Sequence, residues 1–235
     1  MALPVNPIFC AVDTADLPKA QKLAEQLVGK VHGLKLGLEF FMANGVAGYQ
    51  SIAKTGLPIF LDLKLHDIPN TVASALKPLL LLLQPAYMTI HTSGGPAMMR
   101  MAAEAAAKSG VSRPKLLGVT VLTSLDAGDL AAVGQDKDTA QQVTRLARLA
   151  KESGLDGVIC SPEEVKILRL ALGPDFILMV PGIRPAWAAS NDQKRIMTPR
   201  EAVDAGATYL VIGRPITGAD NPGDAAKRIM EDLTA

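Results

Sequence analysis

The segment Leu61-Asp62-Leu63-Lys64-Leu65-His66-Asp67-Ile68-Pro69-Asn70-Thr71 sets an ammonium group between two carboxylates. Its first five residues alternate strictly, and the period of two of a β-strand sends the three leucines to one face and Asp62 and Lys64 to the other. A lysine held among carboxylates can place positive charge where an electron pair develops and then deliver a proton to it. Charges buried on a strand are costly unless they pair or work, so an Asp-Lys pair that only closes the core is the alternative. Two further runs repeat the pattern. Val31-His32-Gly33-Leu34-Lys35-Leu36-Gly37 carries Lys35 on the face opposite Leu34 and Leu36, and Ile8-Phe9-Cys10-Ala11-Val12-Asp13 ends in a lone carboxylate. Asp13, Lys35, Asp62, Lys64 and Asp67 therefore fall at or near the ends of three successive strands, and a purely structural reading has to explain five charges in one place.

A second group of residues suits an anion. Val180-Pro181-Gly182-Ile183-Arg184-Pro185 runs into a polar stretch that contains Gln193, and Val211-Ile212 is followed by Gly213-Arg214. Glycine lets backbone N–H groups approach a ligand, and arginine offers a forked pair of donors, a combination suited to phosphate. His32, His66 and His91 show no metal-ligand spacing, so packing or hydrogen bonding is expected of them. Trp187 and Met197 could cover a ligand or pack locally.

Positioning these groups falls to an alternation of short apolar runs and longer segments of helical period. Candidate strands are 7–13, 31–37, 58–65, 86–92, 115–123, 156–161, 176–183 and 209–213. Helical segments are expected over 17–28, 71–83, 96–108, 139–152, 162–172, 199–204 and 222–233. Eight strand-helix units of roughly 29 residues each predict an α/β fold, a single-domain (β/α)₈ TIM barrel over residues 1–235. In such a barrel the ends of the strands and the loops after strands seven and eight form one face, which would gather both groups of residues. The polar stretch 184–198 is the longest connection after a strand without helical period, as expected of a loop on that face.

Composition narrows the classes of function. The chain of 235 residues is 49% hydrophobic, 20% charged and 4% aromatic, with 24 basic residues against 23 acidic ones. Without a basic run or excess charge, nucleic acid is not expected as a partner. The longest uncharged stretch, 78–99, contains Pro85, His91 and Gly94-Gly95, which reads as a helix end, a strand and a turn and not as a membrane span. The first charged residue is Asp13, so the amino terminus lacks the positive region of a secretory signal, and the protein is expected to start at or near Met1 and to be cytoplasmic. Cys10 and Cys160 each lie in an apolar run and are expected to be buried thiols in a reducing compartment.

The run from Asp62 to Thr71 resembles the signature of the orotidine 5′-phosphate decarboxylase family. Asp13, Lys35, Thr123 in Val121-Leu122-Thr123-Ser124, the run from Pro181 to Pro185, Gln193 and Gly213-Arg214 are similar to that family's other substrate contacts, in order and at compatible spacing. The resemblance covers essentially the whole chain. It implies cofactor-free and metal-free decarboxylation of orotidine 5′-monophosphate to uridine 5′-monophosphate and CO₂ in pyrimidine synthesis. It further implies that Lys64 donates the proton, that Asp62 lies beside the departing carboxylate, and that Asp67 reaches in from the partner subunit of a homodimer. By the same resemblance Asp13 and Lys35 hold the ribose hydroxyls, with Lys35 also part of the catalytic charge array. Thr71 helps from across the dimer, and Ile68, Thr123 and Pro181 also belong to the substrate site, Thr123 against the pyrimidine. Arg184, Gln193, Gly213 and Arg214 make the phosphate end. Leu79–Leu83 and Gln84-Pro85 depart from the family pattern. Magnesium-dependent sugar-phosphate enzymes with a similar Asp-x-Lys-x-x-Asp strand are the nearest rivals, but they carry a glutamate where this chain has Lys35, and an ammonium there repels a divalent cation. A nucleotide-binding regulator without turnover is the rival from another class, and it has no need of so costly a charge array.

Overall fold

The computed structural model of the chain describes residues 4–188 and 197–234. In chain order the elements are β1 (Ile8–Val12), α1 (Leu17–Leu27), β2 (Gly33–Gly37), α2 (Leu38–Ala53), β3 (Ile59–Leu65), α3 (Pro69–Leu83), β4 (Tyr87–His91), α4 (Gly95–Ala107), β5 (Lys115–Val119), α5 (Ala127–Ala132), α6 (Thr139–Glu152), β6 (Gly157–Ile159), α7 (Val165–Leu172), β7 (Ile177–Val180), α8 (Pro199–Ala205), β8 (Tyr209–Ile212), α9 (Arg214–Thr217) and α10 (Pro222–Thr234). The strands pair in sequence order, all parallel, and β8 returns to β1 to close the barrel. The expected eight-stranded barrel is therefore the observed one.

Alternation along each strand divides the apolar residues into two cores. Ile8, Cys10 and Val12 of β1, Leu34 and Leu36 of β2 and Leu61 of β3 point outward into the layer shared with the helices, with Leu63 and Leu65 packed against it. Phe9, Phe60, Tyr87, Leu117, Met179 and Tyr209 fill the barrel interior. Phe9 sits edge-on to Phe60, Tyr87 and Tyr209 with ring centroids 5.3–6.1 Å apart, a geometry that aromatic quadrupoles favour, and the Tyr87 and Tyr209 hydroxyls bond at 2.8 Å. Gly33 leaves the space this plug needs, because a Cβ there would collide with the Phe9 ring and the Pro58 carbonyl.

The helices follow from caps and spacing. Asp16 and Asp138 cap α1 and α6 by accepting from Lys19 N and Gln141 N, and the two helices bury Ala20, Leu23, Ala24 and Leu27, and Val143, Leu146, Ala147 and Ala150, on one face each. Three of these helices fall outside the expected segments: α2 and the short α5 and α9. α2 carries Leu38, Phe40, Phe41, Met42 and Val46 around its circumference, is broken at Gly45 (φ 57°) and so lacks a clean apolar stripe. The uncharged stretch 78–99 is the end of α3, β4, a short 3₁₀ turn and the start of α4, as expected. Among the described residues no helix is long and apolar enough to cross a membrane. In the leucine run that ends α3, Leu80 and Leu83 are buried while Leu81 and Leu82 are exposed, so only one side of that turn is covered.

Candidate active site

Asp13, Lys35 and Asp62 each continue the inward-facing side of their strand beyond the apolar plug. The order along β1 is Phe9, Ala11, Asp13; on β2 Lys35 pairs level with Ala11 and Phe60, and on β3 Asp62 follows Phe60. The carboxyl ends of the strands thus replace side-chain packing with charge. Lys35 Nζ lies 2.9 Å from Asp13 Oδ1 and 3.9 Å from Asp62 Oδ2, and Lys64 Nζ lies 2.7 Å from the same Asp62 oxygen. The result is a row of alternating charge, Asp13, Lys35, Asp62, Lys64. Asp62 is the most enclosed member, 8% exposed, and its other oxygen accepts the Thr89 hydroxyl at 2.9 Å.

Lys64 does not sit on a regular strand, contrary to the strict alternation of its sequence. Its φ is 51°, in the left-handed region where a Cβ is crowded. The ladder from β3 to β4 shifts register between Leu61 and Leu65, so that four steps of β3 pass two of β4. The bulge re-aims the lysine over the barrel mouth, and its backbone N–H is taken by Thr89 Oγ1 at 2.9 Å.

These charges form one side of a cavity of about 490 Å³, which also takes in Thr123, Pro181, Arg184, Gly213 and Arg214, with Val119, Val121 and Ile159 as an apolar wall. A polar end, a charged end and an apolar wall suit a small ligand with one anionic group and one ring. Thr123 lies in the loop beyond β5, which ends at Val119, earlier than the expected strand. Arg184 is 7% exposed and donates to the Ile183 carbonyl at 2.9 Å, while Arg214 opens α9 directly after Gly213. Gln193 lies outside the described residues. The two ends of its loop are tied together, since Ile183 bridges Met197 and Arg184 N donates to Met197 O at 3.0 Å.

Asp67, Ile68 and Thr71 do not line this cavity. They lie on the loop after β3 and the first turn of α3, exposed, with Ile68 67% accessible and Asp67 Oδ1 accepting from Ile68 N at 2.7 Å. Trp187 carries the Arg228 guanidinium 4.6 Å above its ring, and Met197 packs against the outer core. His32 packs on Phe9 and Tyr209, and His91 lies 5.4 Å from the His66 ring. Burial depresses the His91 pKa, the nearby His66 and Lys64 depress it further, and Asp62 opposes them. Cys160 reaches the cavity, and burial pushes its thiol well up, which keeps it neutral. Thr89 is the residue that sequence reasoning missed. Its one signal is that Tyr87, Thr89 and His91 alternate inward on the strand beside Asp62.

The sequence profile of the orotidine 5′-phosphate decarboxylase / HUMPS family matches residues 6–229. The chain belongs to that family. It is 52% identical over 233 residues to orotidine 5′-phosphate decarboxylase of Paramagnetospirillum magneticum, covering 97% of this chain and 99% of that protein. It is also 52% identical over 228 residues to the protein of the same name from Sphingopyxis alaskensis, again with 97% and 99% covered. Among solved structures, orotidine 5′-phosphate decarboxylase from Lactobacillus acidophilus superimposes with a TM-score of 0.86 at 38% identity, covering 98% of this chain and 100% of that one. Membership accounts for the barrel, and the charged row at its mouth is where this member's chemistry has to be sought.

Proposed function

We propose that the chain is a carboxy-lyase that converts orotidine 5′-monophosphate to uridine 5′-monophosphate and CO₂ without a cofactor, the reaction named for its relatives. The observation that carries this reading is the Lys64–Asp62 pair at 2.7 Å, extended by Lys35 and Asp13, at the mouth of the barrel. Loss of CO₂ from C6 of the pyrimidine leaves an electron pair with little resonance relief, so the site must supply positive charge at that carbon. Lys64 is the group placed to do so and then to protonate it, with Asp62 fixing the ammonium and Lys35 neutralising Asp62 from the other side. Preorganised charge needs no rearrangement at the moment of reaction, which suits a site built on rigid strand ends.

In this reading Asp13 and Lys35 take the ribose hydroxyls, Thr123 and Pro181 lie along the pyrimidine, and Arg184, Gln193, Gly213 and Arg214 receive the phosphate. Binding energy from the phosphate, which does not react, then organises the site for the chemical step. Asp67, Ile68 and Thr71 complete the neighbouring site of a homodimer; their exposure on a loop outside this chain's own cavity supports that assignment. A cytoplasmic location belongs to the same reading. The family description also covers a second group of enzymes, and Lys35 is what favours the decarboxylase: its ammonium stands within the carboxylate group that a divalent cation would need.

Incubation of the purified protein with orotidine 5′-monophosphate in EDTA tests the reading. Equal amounts of uridine 5′-monophosphate and CO₂ are expected. Inactivity on the nucleotide, with magnesium-dependent turnover of a hexulose phosphate instead, would overturn it.

A further inference from the structure

Thr89 is fully buried on β4, and its hydroxyl is used twice. It donates to Asp62 Oδ1 at 2.9 Å and accepts from the Lys64 backbone N–H at 2.9 Å. Because a hydroxyl has one hydrogen and an N–H can only donate, the direction of both bonds is fixed. Lys64 in turn donates from Nζ to Asp62 Oδ2 at 2.7 Å. Asp62, Thr89 and both ends of Lys64 therefore form a closed ring of hydrogen bonds.

The location of that ring explains why a side chain is needed. Where β3 shifts register, Leu61 pairs with Met88 and Leu65 with Ile90, so Thr89 stands opposite the bulge. A regular ladder would offer the Lys64 N–H a strand carbonyl; here Thr89 Oγ1 takes that place. Lys64 also holds a positive φ of 51°, which a residue with a Cβ keeps only when its surroundings impose it. An apolar residue at 89 would fill the space as its cross-strand neighbour Leu117 does, but would leave the Lys64 N–H and one Asp62 oxygen without the partner they now share.

We propose that Thr89 is a positioning residue for the decarboxylation. Its hydroxyl holds the Lys64 backbone in the left-handed bulge and the Asp62 carboxylate in one orientation, so that the ammonium is aimed before substrate binds. The inference rests on the decarboxylase reading and adds to it a residue that does not line the cavity.

The test compares wild type with Thr89→Val, Thr89→Cys and Thr89→Ser in the full chain, measuring kcat and KM for orotidine 5′-monophosphate and affinity for uridine 5′-monophosphate. A misplaced ammonium should lower kcat of Thr89→Val by about 100-fold. KM and product affinity should stay within about threefold, because the binding groups are untouched. Thr89→Cys, with a weak donor and acceptor, should fall with Thr89→Val, and Thr89→Ser should keep kcat within about threefold of wild type. A folded Thr89→Val or Thr89→Cys with wild-type kcat would overturn the assignment, and so would a Thr89→Ser as slow as Thr89→Val. Failure of both Val and Cys variants to fold would also overturn it, since the hydroxyl would then serve stability. Absence of turnover in wild type is a separate result: it would overturn the reaction reading, and this inference with it.

Discussion

In the proposed reading, Arg214 and Lys64 divide the work of the site between them. Lys64 is tied to Asp62 and lies in the charged row, whereas Arg214 opens α9 after β8 and lines the same cavity. An arginine that grips the phosphate contributes binding energy realised only when the phosphate is present. Arg214→Ala should therefore reduce kcat/KM on the nucleotide at least about tenfold and much less on orotidine, which lacks phosphate. Steady-state kinetics on both substrates checks this, and equal losses would remove Arg214 from the phosphate end. The charged residues were legible in the sequence because Asp and Lys alternating with leucine on a strand are out of place. Thr89 was not, because threonine is an ordinary strand residue and its role appears only when β4 is laid beside the bulge of β3.

Strands were legible as elements, and their irregularities were not. Alternation located β3 and assigned its leucines to the outer core, but a bulge inserts residues without disturbing the pattern of residue types, so the positive φ of Lys64 left no trace in the sequence. α2 was lost for the opposite reason, since apolar residues surround it and Gly45 breaks it. The fourth strand carries a testable consequence of its own. The folded state holds His91 below its ordinary pKa of 6.5, chiefly through burial and then through His66 and Lys64. Its neutral form is the one that folding favours, so below about pH 6.5 the unfolded chain takes up the proton more readily and stability falls with pH. His32 at the other end of the barrel is depressed by burial and adds to the same trend. Urea unfolding at about pH 7.5 and about pH 5.5 should show a lower midpoint in acid, and a smaller drop in His91→Asn. An identical drop in the variant would exclude His91 as a contributor.

At the scale of the whole molecule, closure of the sheet brings strand 1 beside strand 8, which is what sets Asp13 and Gly213 around one cavity although they are 200 positions apart in the sequence. Counting strands anticipated this closure. It could not show where Asp67, Ile68 and Thr71 act, because they do not line this chain's own cavity and their proposed site lies on another copy. A shared site predicts that Lys64→Ala and Asp67→Ala proteins, each nearly inactive, regain activity when mixed under conditions that exchange subunits. Exchange demonstrated by mass, with no gain in rate, would contradict the shared site. The account as a whole stands on Lys64, and its most direct test is kcat for orotidine 5′-monophosphate in EDTA, measured for wild type and Lys64→Ala beside their affinities for uridine 5′-monophosphate. Loss of both the developing charge partner and the proton donor should lower kcat at least about 10⁴-fold while the product still binds; turnover within about tenfold of wild type in Lys64→Ala would contradict the account.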